Sequence, residues 1–184
     1  MRALVIADAS PQLGMPIPDF VGTYSIDVVI TAGDLNRYKL TGIDRAGVPT
    51  MGVYGNHCRR DYLDALGMHN LHLSTVDIDG VSFTGLEGCV RYKRDTAAAL
   101  YTQEEYHGLV AELPAADVLV THCPPRGIND HEDPAHIGIE ALNDWLRRAQ
   151  PALLIHGHTY PTQPVTQVGP TRVEYVHGGR IVMI

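Results

Sequence analysis

Val28-Val29-Ile30-Thr31-Ala32-Gly33-Asp34 runs a stretch of apolar and β-branched residues directly into a glycine and a carboxylate. Such a run, without alternation, reads as a strand buried on both faces. The arrangement recurs. Ala3 to Ala7 leads into Asp8, Pro49 to Tyr54 into Gly55-Asn56-His57, Val118-Leu119-Val120 into Thr121-His122, and Leu153-Leu154-Ile155 into His156-Gly157-His158. In α/β sheets ligands bind at the carboxyl ends of strands, so these endings place carboxylate, amide and imidazole on one rim. Together they make a donor set suited to Mn²⁺, Fe or Zn²⁺. The glycines beside them permit sharp turns and close approach to the backbone.

Between these runs, the pattern predicts helices over Thr102 to Leu113, with acidic residues in the first turn and Pro114 beyond, and over Ile137 to Ala149, with Arg147-Arg148 in the last turn. Hairpins are expected over Leu71 to Leu86, turning at Asp79-Gly80, and over Thr171 to Ile184, turning at Gly178-Gly179. Buried strands mixed with hairpins point to an α/β protein in which two sheets pack together with helices outside.

The 184 residues suffice for one domain, 1–184, with its own core, and no repeat or linker divides them. Apolar residues at 45% and charged residues at 19% exclude disorder and fibrous repeats. Against 21 Asp plus Glu there are 14 Lys plus Arg, and a net charge of -7 disfavours dedicated nucleic-acid binding. Three cysteines, Cys58, Cys89 and Cys123, suit a reducing compartment. The opening residues have no signal-peptide pattern and no span fit for a bilayer, so the expected setting is cytoplasmic, away from membranes. The ten histidines are the unusual entry, since neutral imidazole is the commonest metal ligand.

The ordered series Asp8, Gly33-Asp34, Gly55-Asn56-His57, Thr121-His122-Cys123-Pro124-Pro125 and Gly157-His158 resembles the calcineurin-like metallophosphoesterases, as a small bacterial-type member. The resemblance implies a four-layer α/β/β/α sandwich and hydrolysis of phosphomonoesters or phosphodiesters, as a phosphatase or phosphodiesterase. It implies one or two divalent transition-metal ions, Mn, Fe, Ni or Zn. Asp34 would bridge them, Asn56, His122 and His158 would complete the second site, and Asp8 would belong to the first. His57 would be the proton donor.

The pattern breaks in two places. The family's Asp-x-His reads Asp8-Ala9-Ser10 here, and its Gly-His-x-His reads Gly157-His158-Thr159-Tyr160. Both missing imidazoles belong to the first metal, so we expect a strong second site and a weak, altered or empty first site. Ser10 and Tyr160 are candidate substitutes, the phenolate being a known ligand type for ferric iron. His136 in the loop from Arg126 to Gly138 is a candidate for metal or phosphate, and His177, before Gly178-Gly179, is a further histidine at a turn. Arg37 and Arg126 lie in rim loops and are candidates for gripping a phosphate bidentately. His156 alternates with His158 and reads as structural, while His69 and His72 read as solvated. The function expected is metal-dependent hydrolysis of a small phosphate ester. The alternative is a degenerate member acting as a metal- or partner-binding scaffold, since fold does not guarantee activity.

Overall fold

A computed structural model describes residues 1–95 and 97–184. In chain order the elements are β1 (Arg2–Ala7), α1 (Ile17–Tyr24), β2 (Val28–Ala32), β3 (Thr50–Val53), α2 (Tyr62–Ala65), β4 (His69–Asn70), β5 (Thr75–Ile78) and β6 (Val81–Leu86). There follow β7 (Cys89–Val90), β8 (Leu100–Tyr101), α3 (Gln103–Glu112), β9 (Val118–Thr121), α4 (Ala141–Ala149), β10 (Leu153–His156), β11 (Val165–Val168), β12 (Thr171–Tyr175) and β13 (Gly178–Met183). One sheet has the order β13-β1-β2-β3-β4 and the other β11-β12-β10-β9-β6-β5, with β7 and β8 as a small separate pair. No helix among the described residues is long and apolar enough to cross a membrane.

Side-chain alternation along the central strands creates the layers. Ala3, Val5 and Ala7 of β1 face inward with Ile30, Phe83, Val118 and Ile155, filling the space between the sheets. Leu4 and Ile6 face the other way, against Ile17, Phe20 and Val21 of α1. On the second sheet Leu119, Leu154 and Val173 face outward onto Tyr106 of α3 and Trp145 of α4. The architecture is the α/β/β/α sandwich that the motifs imply. Strands buried on both faces explain why the sequence reads as continuous apolar runs.

Helix α3 begins where Thr102 accepts from the Glu105 N–H while the Glu105 carboxylate accepts from the Thr102 N–H, a reciprocal cap. Helix α4 starts four residues later than the periodicity from Ile137 predicts. The Ile139 N–H donates to the Pro124 carbonyl and the Arg126 N–H to the Ile139 carbonyl, holding that stretch as a bridge to the loop after β9. The first hairpin exists between β5 and β6, but residues 71–74 lie outside it. Leu71 packs between the sheets instead, and Leu73 takes a left-handed turn at φ 54°.

The C-terminal hairpin does not form. β12 pairs in parallel with β10 and antiparallel with β11, whereas β13 pairs antiparallel with β1 in the other sheet. The turn at Val176-His177 is therefore a crossover between sheets, and it carries His177 to the rim where β1 ends. Trp145 ties the outer helices together, its Nε1–H donating to the Leu113 carbonyl at 3.1 Å. Trp145→Ala should lower stability by about 3–5 kcal/mol in urea unfolding followed by circular dichroism; a loss below about 1 kcal/mol would contradict this packing role.

Candidate metal centre

Strands β1, β2 and β3 run parallel, as do β9 and β10, so their carboxyl ends meet where the two sheets face each other. Asp8 and Asp34 follow β1 and β2, Asn56 lies beyond β3, His122 follows β9, and His158 lies beyond β10. Asp8, Asp34 and His158 all have left-handed backbones, at φ 63°, 56° and 70°. Non-glycine residues pay about 1 kcal/mol or more for that conformation, and its clustering at one rim marks a site held in strained form. Gly33, at φ 94°, is required for space as well. A Cβ there would strike His122 Nδ1 and the Gly55 backbone.

The centre is built around His122, which is fully buried. Its Nδ1 faces the Ala32 carbonyl at 2.8 Å, while its Nε2 lies 2.9 Å from Asn56 Oδ1 and 3.4 Å from Asp34 Oδ2. A neutral imidazole has one proton to give, yet oxygen acceptors face both nitrogens. Once Nδ1–H is committed to Ala32, the Nε2 lone pair and two oxygens point at one another, an arrangement that a cation among them relieves. Outer contacts orient the donors as metal ligands require. The His57 N–H donates to Asp34 Oδ1 at 2.6 Å, and Asn56 Nδ2 donates to the Tyr92 hydroxyl at 3.4 Å, which turns the amide oxygen inward. His158 Nε2 donates to the Ala135 carbonyl at 2.8 Å, leaving Nδ1 with its lone pair. Asp8, Asp34 and His122 offer ligand atoms that all lie within 4.8 Å of one another. The donor set fits a divalent transition metal.

Protonation follows from this crowding. Burial opposes a charged His122, but the carboxylates of Asp34 and Asp8 outweigh it and push the imidazole up to about 9. Burial would raise Asp34, yet His122 and the His57 N–H hold its carboxyl well below the usual range. Burial pushes Asp8 up, and the negative charge of Asp34 adds to this while His122 opposes it. His158 is pushed down to about 3 by burial and by His122, so it stays neutral.

A cavity of about 260 Å³ opens over the centre, lined by Asp8, Asp34, His57 and His158 together with Lys39 and Tyr92. Ala135, His136, Tyr160 and His177 complete its wall. A neighbouring cavity of about 580 Å³ shares Asp34, Lys39 and His57 and adds Arg37, Tyr38 and Arg59. Two lining residues were missed by sequence reasoning. Lys39 donates to the carbonyls of Asp8 and Asp34 at 2.6 and 3.0 Å, a contact across 31 residues that no local motif announces. Tyr92, whose hydroxyl lies 3.3 Å from His57 Nε2, sits within the basic stretch Arg91 to Arg94, where only the charges attract notice.

The remaining candidates divide. Arg37 lines the larger cavity, and Tyr160 and His136 line the smaller, His136 with its Nδ1 2.8 Å from Asp133. Ser10 is exposed and lines neither cavity. Arg126 is also absent from both linings, because Asp130 and Glu132 take its guanidinium. His156 is structural as expected, fully buried with Nε2 accepting from Asn129 at 3.0 Å. His72, by contrast, is not solvated, and burial lowers its basicity beside Glu87.

No known family model matches the chain, and no curated protein matches it in sequence. Solved structures do. TT1561 of Thermus thermophilus is 15% identical over 96% of this chain and 89% of that one, with a TM-score of 0.65. A dimetal phosphatase from Danio rerio is 14% identical over 97% and 87%, with a TM-score of 0.61. GAP50, the anchor in the inner membrane complex of Plasmodium, is 11% identical over 96% and 71%, with a TM-score of 0.56. These likenesses establish the fold alone, an α/β/β/α sandwich shared with a dimetal phosphatase.

The Asp34–His122 pair predicts a pH signature in protein stripped of metal. His122 is raised on folding, so its contribution is complete below the unfolded value near 6.5 and is lost as pH climbs through about 9. Asp34 is depressed, so its contribution holds above about 4 and is lost as pH falls through its folded value. Thermal midpoints of chelated wild type should decline from pH 6.5 to 9 more steeply than those of His122→Asn; equal slopes would contradict the pairing. Saturating Zn²⁺ should flatten the decline, because the ion takes the place of the proton.

Proposed function

We propose that the protein is a metal-dependent phosphoesterase that hydrolyses a small phosphodiester or phosphomonoester with His57 as proton donor. The observation that carries this reading is the convergence of Asp34 Oδ2, Asn56 Oδ1 and His122 Nε2 beneath a cavity whose wall includes His57. Asp34, Asn56, His122 and His158 would hold the second-site ion, and Asp8 with shared Asp34 would belong to the first. A bound divalent ion such as Mn²⁺, Fe, Ni²⁺ or Zn²⁺ supplies Lewis-acid polarisation of the phosphate and acidifies a water for in-line attack.

The protein's own groups supply the rest. The backbone of His57 is pinned to Asp34, which supports a role in which the imidazole stands beside the reacting phosphate and its Nε2 gives a proton to the departing alkoxide. The Tyr92 hydroxyl, 3.3 Å away, orients that ring. Lys39 sets an ammonium group between the two cavities, beside the carboxylates, where it offsets the substrate's negative charge. Arg37 and Arg59 on the larger cavity's wall provide for the rest of the ester. The intact second-site donors favour turnover over the scaffold alternative, which has no use for an imidazole aimed at the phosphate. A cytoplasmic setting accords with the free thiols of Cys58, Cys89 and Cys123.

Hydrolysis of bis-p-nitrophenyl phosphate and p-nitrophenyl phosphate, with Mn²⁺, Ni²⁺, Co²⁺ or Zn²⁺ added, tests the assignment. His57→Ala should lower kcat by about 10²–10⁴-fold with metal binding retained. Asn56→Ala should lower both activity and metal affinity. Wild type no faster than either variant with every metal would defeat the enzyme reading for these esters.

A further inference from the structure

The crossover between β12 and β13 delivers a side chain to the place where the ligand motifs fall short. β13 pairs with β1 in the register Ile6↔Gly179 and Ala7↔Gly178, so the next position on each strand sets His177 across from Asp8. His177 Nδ1 lies 3.9 Å from Asp8 Oδ2. That is too long for a hydrogen bond, and the His177 ring has no hydrogen-bond partner among the described residues. It is, however, a distance that one ion can span. Oxygen and nitrogen ligands at about 2.0–2.2 Å from a metal stand up to roughly 4.2 Å apart on opposite sides of it.

Neither of the positions that lack an imidazole reaches this gap as a competing ligand. Ser10 faces solvent outside the cavity. The Tyr160 ring, 62% exposed, stands at the cavity wall with its centroid 5.5 Å from that of His177, flanking the imidazole. His136 is engaged by Asp133 and packs toward His158, on the second-site side. Lys39 approaches Asp8 and Asp34 through their main-chain carbonyls, leaving the carboxylates to face the cavity. His177 is thus the imidazole positioned to join Asp8, in the cavity whose wall also includes Asp34.

We infer that His177 is a ligand of a first divalent ion held with Asp8 and shared Asp34, and that it does the work of the imidazoles replaced by Ser10 and Tyr160. The site is then an altered one rather than a lost one, rebuilt from a crossover outside the sequence motifs. The inference rests on the phosphoesterase reading in that both use Asp34 as the shared carboxylate. It is tested by metal binding, independently of turnover.

Full-length protein purified without chelator and dialysed against Mn²⁺ would be counted by plasma mass spectrometry and examined by electron paramagnetic resonance. Wild type should hold two ions per chain with a spectrum broadened by coupling between them. His177→Ala should hold one, with the six-line signal of an isolated ion, and Asp8→Asn should match it. Tyr160→Phe should keep both ions. His177→Asp, which offers an oxygen ligand in place of the imidazole nitrogen, should recover the second ion in part. Circular dichroism confirms folding of each variant. The same ion count in wild type and His177→Ala would overturn the assignment and leave the phosphoesterase reading standing, as would loss of an ion in Tyr160→Phe with none lost in His177→Ala. Failure of the phosphoesterase reading would appear separately, as normal metal loading without hydrolysis.

Discussion

The His122 imidazole, sealed from solvent and faced by oxygens at both nitrogens, is the constraint around which the rim of this protein is arranged. The ring comes from the second sheet, and its partners Ala32, Asp34 and Asn56 come from the first. Satisfying it therefore requires the sheets to pack at a fixed separation and register. Gly33 and Gly55 are part of the same requirement. A Cβ on the first would collide with His122 Nδ1 and one on the second with Asp34 Oδ1, so the strand ends approach only because both side chains are absent. In a buried site, three acceptors and one ring proton leave an electrostatic deficit that a second proton or a metal ion fills. The inter-sheet core and the candidate chemistry are thus two consequences of one close approach.

The two halves of the centre differ in how they are supported. On the proposed second-site side every candidate donor has an outer partner that fixes its orientation: Ala32 for His122, Tyr92 for Asn56, the His57 N–H for Asp34 and Ala135 for His158. Such support raises ligand precision and basicity. On the first-site side Asp8 is held by the His158 N–H, but the imidazole that approaches it, His177, is half-exposed and has no hydrogen-bond partner among the described residues. The first side is less preorganised, as expected where a side chain comes from a crossover loop.

Much of this was legible in the sequence because strands buried on both faces leave an unbroken apolar trace, and because Asp8, Asp34, Asn56, His122 and His158 each follow such a trace closely. Helix α3 was equally readable, its cap being a local interaction between Thr102 and Glu105. What escaped depends on partners distant in sequence. The glycines at 178 and 179 resemble a hairpin turn, yet β13 joins β1, a choice made by the vacant edge of the other sheet rather than by the turn itself. The start of α4 was displaced by backbone bonds to the loop after β9. Lys39 reaches the centre across a loop, while Arg126, attractive by position, is occupied by Asp130 and Glu132. Motif spacing reports which groups a strand end presents, and it does not report which outside residues come to meet them.

The central claim is that Asp34, Asn56, His122 and His158 converge on a metal ion. Anomalous diffraction at the Mn edge, from crystals of protein loaded with Mn²⁺, tests it most directly. The account predicts a peak among Asp34 Oδ2, Asn56 Oδ1, His122 Nε2 and His158 Nδ1, with His122 Nδ1 still bonded to Ala32. A fully loaded crystal with no peak there, or with His122 Nε2 turned away from it, would contradict the account.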